Sequence, residues 1–252
     1  MKLARFSISN AIHWGVLSGT TLDLIDGDVY SDWELSGRRV ELDTVTLLAP
    51  CTPTKAVCVG LNYYDHAREM NLSLPAEPLL FLKPSSTLAH PGGFIEYPTM
   101  SENVHFEAEL AVIIKKQAKK IPAAAAYDYV LGYTCANDIT ARDLQLKDGQ
   151  WTRGKSFDTF LPVGPWVETA VDPHTLTITL EINGALRQHS NTSNLIFKVP
   201  ELIAHITQVM TLYPGDCILT GTPAGVGPLA IDDTVTVTLE GIGRLENTII
   251  KG

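Results

Sequence analysis

Apolar and polar positions alternate along most of this chain with the two-residue period of a strand, and only short stretches carry a helical period. Residues 2–9, 11–17 and 21–24 read as short strands joined by tight turns and closed by Asp26-Gly27-Asp28. Further strands fall at 56–59, 79–82, 107–114, 130–136, 216–220, 234–239 and 245–250, and Asn183-Gly184 joins 176–182 to 185–187 as the clearest hairpin. The helices predicted are 65–70, 123–127, 139–146 capped by Asn137 or Asp138, and 200–210. The last has a proline in its first turn and Leu202, Ile203, Ile206, Val209 and Met210 on one core-facing stripe. The pattern predicts a mainly β fold with short helices. The proline-bounded segment 50–53 divides a small β-rich domain, residues 1–50, from a larger one, 51–252.

Composition supports a large core, because 45% of the 252 residues are hydrophobic and 19% are charged. No run approaches the roughly 20 apolar residues of a membrane span, and the first ten residues lack the apolar centre of a signal peptide. A soluble, cytoplasmic protein is the expectation. A net charge of -9 argues against a nucleic-acid partner, whose phosphates need clustered Lys and Arg. Small anions are compatible where local cations or a metal receive them. Cys51, Cys58, Cys135 and Cys217 are scattered among apolar neighbours and read as buried thiols. The glycine-rich piece 221–227 lacks the spacing and following lysine of a phosphate loop, which disfavours a nucleotide-binding fold.

Three groups of residues carry candidate chemistry. In the run His105 to Ile114, Phe106, Ala108, Leu110 and Val112 share one strand face, so Glu107 and Glu109 share the other. Two carboxylates so close repel unless something positive sits between them, and a divalent metal is the simplest answer. A half-exposed strand with a wet face is the alternative. Asp138, Arg142 and Gln145 would stack on one face of a helix beginning at Asp138, or Asp138 would simply cap that helix. Three carboxylates and no histidine suit a hard cation such as Mg2+ or Mn2+. His66 and Glu69, three apart on a helix, have the spacing of a carboxylate-oriented imidazole for acid/base work, and equally that of a solvated pair. Lys155, in a turn opened by Gly154, suits either a fixed charge near an oxyanion or a surface lysine.

Taken in order, Val59-Gly-Leu-Asn-Tyr63 with His66 and Glu69, Phe81-Leu-Lys-Pro84, Glu107-Ala-Glu109, Asn137-Asp138 with Arg142 and Gln145, Lys155-Ser-Phe157, Asn183-Gly184 and Gly221-Thr-Pro223 strongly resemble the fumarylacetoacetate hydrolase (FAH) family. The likeness spans about residues 55–250. It implies a mixed β-roll with flanking short helices, a homodimer, and use of Mg2+ or Mn2+. By that resemblance Glu107, Glu109 and Asp138 are the metal ligands, and His66 with Glu69 is the catalytic dyad on a segment that orders as a lid. Lys155 then stabilises developing negative charge, Arg142 and Gln145 support the site, and Thr222 holds a substrate carboxylate. The first 50 residues carry no matching chemistry and resemble a small accessory domain.

The same resemblance leads to 2-oxo or 2,4-dioxo acids and a metal-stabilised enolate, a single electron sink that serves several reactions. Hydrolysis of the C–C bond of an acylpyruvate, fumarylpyruvate-like, is the first expectation. Isomerisation or decarboxylation of the dienedioates of homoprotocatechuate breakdown is the alternative, as is decarboxylation of oxaloacetate. Leu61 stands where acylpyruvate hydrolases of the family often carry an arginine, which weighs against hydrolysis. A non-catalytic binding protein is disfavoured because the ligand set and the dyad are all present.

Overall fold

A computed structural model describes all residues, 1–252. A 12-stranded mixed sheet forms its backbone. Its strand order is Trp33–Glu41, Thr21–Gly27, Ala11–Ser18, Lys2–Ile8, Leu161–Glu168, Val130–Asn137, Ala108–Ile114, Cys217–Leu219, Lys55–Gly60 and Leu79–Pro84, with two short strands paired off this path. The strands of the first 50 residues are continuous with it, since Lys2 and Leu3 pair antiparallel with Glu168 and Val167. A five-stranded sheet runs Ala185–Asn191, Thr177–Ile182, Thr234–Leu239, Gly243–Lys251 and Phe94–Tyr97. A small three-stranded one joins Thr140–Ala141, Val104–Phe106 and Gly227–Pro228. The helices are short: α1 (Tyr64–Glu69), α2 (Arg142–Asp148), α3 (Thr152–Lys155) and α4 (Val199–Val209). None is long and apolar enough to cross a membrane. The mainly β expectation therefore holds.

The strand Ala108–Ile114 shows why the core sits where it does. Every one of its residues is buried. Leu110, Val112 and Ile114 belong to the main core, packed with Ile178 and Leu180, Val235 and Val237 of the smaller sheet and with Leu202, Ile203 and Ile206 of α4. Ala111 and Ile113 point the other way, into a second core with Cys58, Ala136 and Leu219. A strand buried on both faces reads as one apolar run, and the predicted alternation holds with Phe106, Ala108, Leu110 and Val112 together. The wet-face alternative fails, because Glu109 is only 2% exposed. All four cysteines are buried free thiols.

Several expectations are corrected. The strand predicted over 107–114 starts at Ala108, because Glu107 lies between two strands. Asp138 does not open a helix: strand Val130–Asn137 ends beside it, Thr140–Ala141 is extended, and α2 begins at Arg142. Asp138, Arg142 and Gln145 consequently do not share a helix face. The short helix predicted over 123–127 is present as a 3-10 helix, Ala123–Tyr129. Lys155 ends the short helix α3 and is buried, so the surface reading fails. On α4 the buried stripe is Val199, Leu202, Ile203, Ile206 and Thr207, whereas Val209 is 65% exposed.

Candidate active site

The acidic centre is built where one ladder stops. Ala108 pairs with Asn137 as the last rung between Ala108–Ile114 and Val130–Asn137. Beyond that rung side chains intercept the backbone donors: Asn137 Oδ1 accepts the Glu107 N–H at 2.9 Å and Gln188 Oε1 accepts the Ala108 N–H at 2.9 Å. The Asp138 N–H still donates to the Glu107 carbonyl at 2.9 Å, so the two residues leave the sheet side by side. Glu109, one strand position inside, completes the set. Carboxylate oxygens of Glu107, Glu109 and Asp138 lie within 4.8 Å of one another, and all three residues are buried.

Cations surround them. Lys155 Nζ donates to Glu107 Oε2 at 2.9 Å and to Asp138 Oδ2 at 2.7 Å. Arg142 donates from Nη2 to Glu107 Oε1 and from Nη1 to Gln145 Oε1, the latter at 2.6 Å. Glu109 Oε2 accepts the Gly221 N–H at 2.6 Å. Gly221 has φ +102°, and a Cβ there would stand 2.8 Å from Asn62 Cβ, so only glycine brings this N–H to the carboxylate. Gly154 does similar work for Lys155: a Cβ would lie 2.9 Å from the Ala141 carbonyl, and its lack lets α3 pack against α2.

These contacts divide the carboxylates. Burial raises the Glu107 pKa, but the Lys155 and Arg142 charges and hydrogen bonds outweigh it and hold the group at about 2. Glu109 is pushed well above the ordinary range by burial and by the Asp138 and Glu107 charges, against which the Gly221 bond is too small. Lys155 shows the converse: burial disfavours its charge, and Asp138 and Glu107 raise its pKa in spite of that.

Lys83 was not singled out by sequence as a site residue, yet it anchors the centre. Fully buried at 0% exposure, its ammonium donates to the carbonyls of Ile139 at 2.9 Å, Lys155 at 2.6 Å and Phe160 at 2.8 Å. It also lies 2.9 Å from Asp138 Oδ1. Its three hydrogens are committed to carbonyls, so Asp138 Oδ1 has charge nearby but no hydrogen-bond donor. A buried carboxylate oxygen without a donor, beside a second carboxylate raised by burial and then by repulsion, fits a cation bound among oxygens. Glu107, Glu109 and Asp138 thus form an acidic cluster able to hold a metal ion.

The cluster opens into a cavity of about 270 Å3. Glu107, Glu109, Asp138, Arg142, Gln145, Lys155, His66 and Thr222 all line it, so nearly every residue singled out in the sequence meets in one place. Glu69 does not line it but holds His66, whose Nδ1 is 3.1 Å from Glu69 Oε2. Glu69 in turn accepts the Gly225 N–H at 3.1 Å. Thr222 Oγ1 accepts from Gln188 Nε2 at 3.0 Å. Asn62 fixes the start of the α1 segment, bonding the carbonyls of Thr220 and Phe197 at 2.8 and 3.1 Å. Leu61, Met70, Leu72, Phe81, Leu146 and Trp151 make the remaining wall apolar. Sequence did carry a signal for Lys83, a lysine inside an apolar strand; Gln188 stands in a half-exposed hairpin whose Leu186-Arg187-Gln188 resembles the dienedioate isomerases, but nothing local gives it a role at the site.

Comparison with known proteins agrees with this geometry. Residues 55–250 match the family described as fumarylacetoacetate (FAA) hydrolase C-terminal, and residues 1–50 match Rv2993c-like, N-terminal. The chain belongs to the FAH family. A solved FAH-family structure, 2-hydroxyhepta-2,4-diene-1,7-dioate isomerase from Mycobacterium marinum, superimposes with a TM-score of 0.93 at 44% identity, covering 100% of this chain and 98% of that one. Fumarylacetoacetate hydrolase from Exiguobacterium antarcticum gives a TM-score of 0.90 at 34% identity over the whole of both chains. The mitochondrial oxaloacetate tautomerase Fahd2a of Rattus norvegicus is 45% identical over 218 residues, which are 82% of this chain and 70% of that protein. The mixed sheets and few short helices are therefore the FAH-type β-roll, and the family supports a catalytic protein acting on oxo or dioxo acids.

Proposed function

We propose that this protein is a metal-dependent isomerase or tautomerase that moves a proton on a 2-oxo or 2-hydroxy-2-enoic acid, and this displaces C–C hydrolysis as the first reading. One observation carries the proposal: of the residues that segment 59–72 gives to the cavity lining, Val59, Gly60, Leu61, His66, Met70 and Leu72, only His66 has a polar side chain, so its own segment adds no side-chain partner for a nucleophilic water. A held water needs two to four polar partners. A proton shuttle needs only the imidazole. The names of the relatives, an isomerase and an oxaloacetate tautomerase among them, support the same reaction class.

On this reading Glu107, Glu109 and Asp138 hold Mg2+ or Mn2+, whose Lewis acidity would make the carbon beside a keto group more acidic. The remaining work belongs to the chain. With Nδ1 engaged by Glu69, the imidazole of His66 has Nε2 left to take a proton from one carbon or oxygen of the substrate and return it to another. Lys155 keeps a positive charge where negative charge develops, its ammonium secured against burial by the Asp138 and Glu107 carboxylates. Arg142 and Gln145 orient the acid, and Thr222, aligned by Gln188, receives a carboxylate oxygen.

The test is a panel of enol-oxaloacetate, 2-hydroxyhepta-2,4-diene-1,7-dioate and fumarylpyruvate with Mg2+ or Mn2+, followed by ultraviolet absorbance and by deuterium incorporation in D2O. Cation-dependent ketonisation or double-bond migration, abolished by EDTA and by H66Q, is expected. Release of pyruvate from fumarylpyruvate as the fastest reaction would overturn the proposal.

A further inference from the structure

A second cavity, about 470 Å3, lies away from the acidic centre, where the first 50 residues meet the remainder of the chain. Arg5, Ser7 and Asn10 line it from the N-terminal strands, Thr52 from the connecting segment, and Ser85 and His90 from beyond strand Leu79–Pro84. No carboxylate lines it, although the chain carries a net charge of -9. Arg5 joins none of the ion pairs. Its one hydrogen bond goes to the Ala49 carbonyl at 3.3 Å, which leaves most of a partly buried guanidinium unused. Every other arginine is either exposed or paired with a carboxylate. His90 accepts the Ala49 N–H on Nδ1 at 3.1 Å, so its proton sits on Nε2 and that nitrogen is a donor. Burial, and then the Arg5 charge, lower the His90 pKa, in keeping with this neutral tautomer.

We propose that this cavity binds a small oxyanion, a phosphate or a carboxylate, through the Arg5 guanidinium, the hydroxyls of Ser7, Thr52 and Ser85, and His90. A forked cation with no acid beside it, framed by hydroxyls that both donate and accept, is the chemistry that takes such groups. Because the ligand would touch segments on both sides of residues 50–53, its binding couples to the stability of their junction.

Thermal unfolding of the full chain in EDTA, titrated with inorganic phosphate or with succinate and compared with sodium chloride at matched ionic strength, tests this. A saturable rise in Tm with one or both anions is expected, and the responding anion tells phosphate from carboxylate chemistry. R5Q should weaken it by at least about tenfold. S85D, which adds a like charge at an exposed position, should do the same and serves if R5Q folds poorly. Both variants should keep wild-type turnover. A rise equal to that in sodium chloride, or one untouched in S85D and in folded R5Q, would overturn the assignment.

Discussion

Lys83→Met is the sharpest test of how the acidic centre is built. The side chains are similar in length, so the change removes a charge and three donors while nearly preserving volume. Three carbonyls, of Ile139, Lys155 and Phe160, lose bonds of 2.9, 2.6 and 2.8 Å, and Asp138 Oδ1 loses the cation 2.9 Å away. Bonds to a charged donor contribute about 1.5–3 kcal/mol each, which sets the ceiling. Relief works against it, because burial already lowers the Lys83 pKa and that penalty disappears with the ammonium. Breaking one partner out of a buried pair costs about 3–5 kcal/mol, and that is the expected loss. It would consume much of the roughly 5–15 kcal/mol available to a domain. Urea unfolding of both proteins in EDTA, compared at equal m-value, reads it directly. Turnover should also fall by about a hundredfold or more, since the Lys155 carbonyl loses its tether. A loss under about 1 kcal/mol with normal turnover would refute the view that Lys83 holds Lys155 and Asp138 in place.

Three further outcomes follow from the site. Glu109→Gln should stabilise the metal-free protein by removing a charge that burial and its neighbours disfavour, yet weaken Mg2+ or Mn2+ binding by about a hundredfold or more; Tm with and without EDTA, together with calorimetry, measures both, and lower stability in EDTA would contradict the repulsion. In EDTA the pH dependence should have two limbs. Glu107, lowered from 4.5 to about 2, supports the fold above its unfolded value, and up to about 3 kcal/mol is lost as pH falls through that window. Glu109, raised, binds its proton more tightly folded than unfolded, so stability falls as pH rises above the ordinary carboxylate range, and a divalent cation should abolish this second limb. Urea midpoints from pH 3 to 8 check both signs. Finally, H66Q should lower kcat by about a hundredfold to ten-thousandfold with a smaller change in KM, and E69Q should cost less because it leaves the imidazole present.

The strand faces around Leu110 and Val112 were legible because alternation survives burial on both sides. The break at Glu107 was not, since it depends on the side chains of Asn137 and Gln188, 30 and 80 residues away, taking two backbone donors. The same long-range capture takes Asp138 out of the helix that local sequence offers it, whether as first residue or as cap. Strand Leu161–Glu168 carries no strand signature, because Pro162, Gly164 and Pro165 read as turn residues. It sits mid-sheet all the same, with Pro165 inside the register shift between the Gly164 and Glu168 pairings, where no ladder bond is required of it. Trp33–Glu41, a largely exposed sheet edge, lacks the apolar alternation that marks a strand. The site residues themselves were legible as chemistry well before their common cavity was, because carboxylate pairs and a His/Glu spacing are local while the cavity is tertiary.

At formal charges the three carboxylates of the acidic centre face three buried or half-buried cations, Lys83, Lys155 and Arg142. The centre therefore has no net negative charge before any metal enters, and with Glu109 held toward its protonated form it is no bare carboxylate trap. A divalent cation arriving alone leaves two uncompensated positive charges in a low-dielectric pocket, and a 2-oxo acid as its enolate dianion supplies the matching two negatives. On the function proposed above, metal and dianion should accordingly bind with positive heterotropic linkage, each tightening the other by the same factor. Saturation of the metal site would then track the supply of substrate as much as the free concentration of the ion.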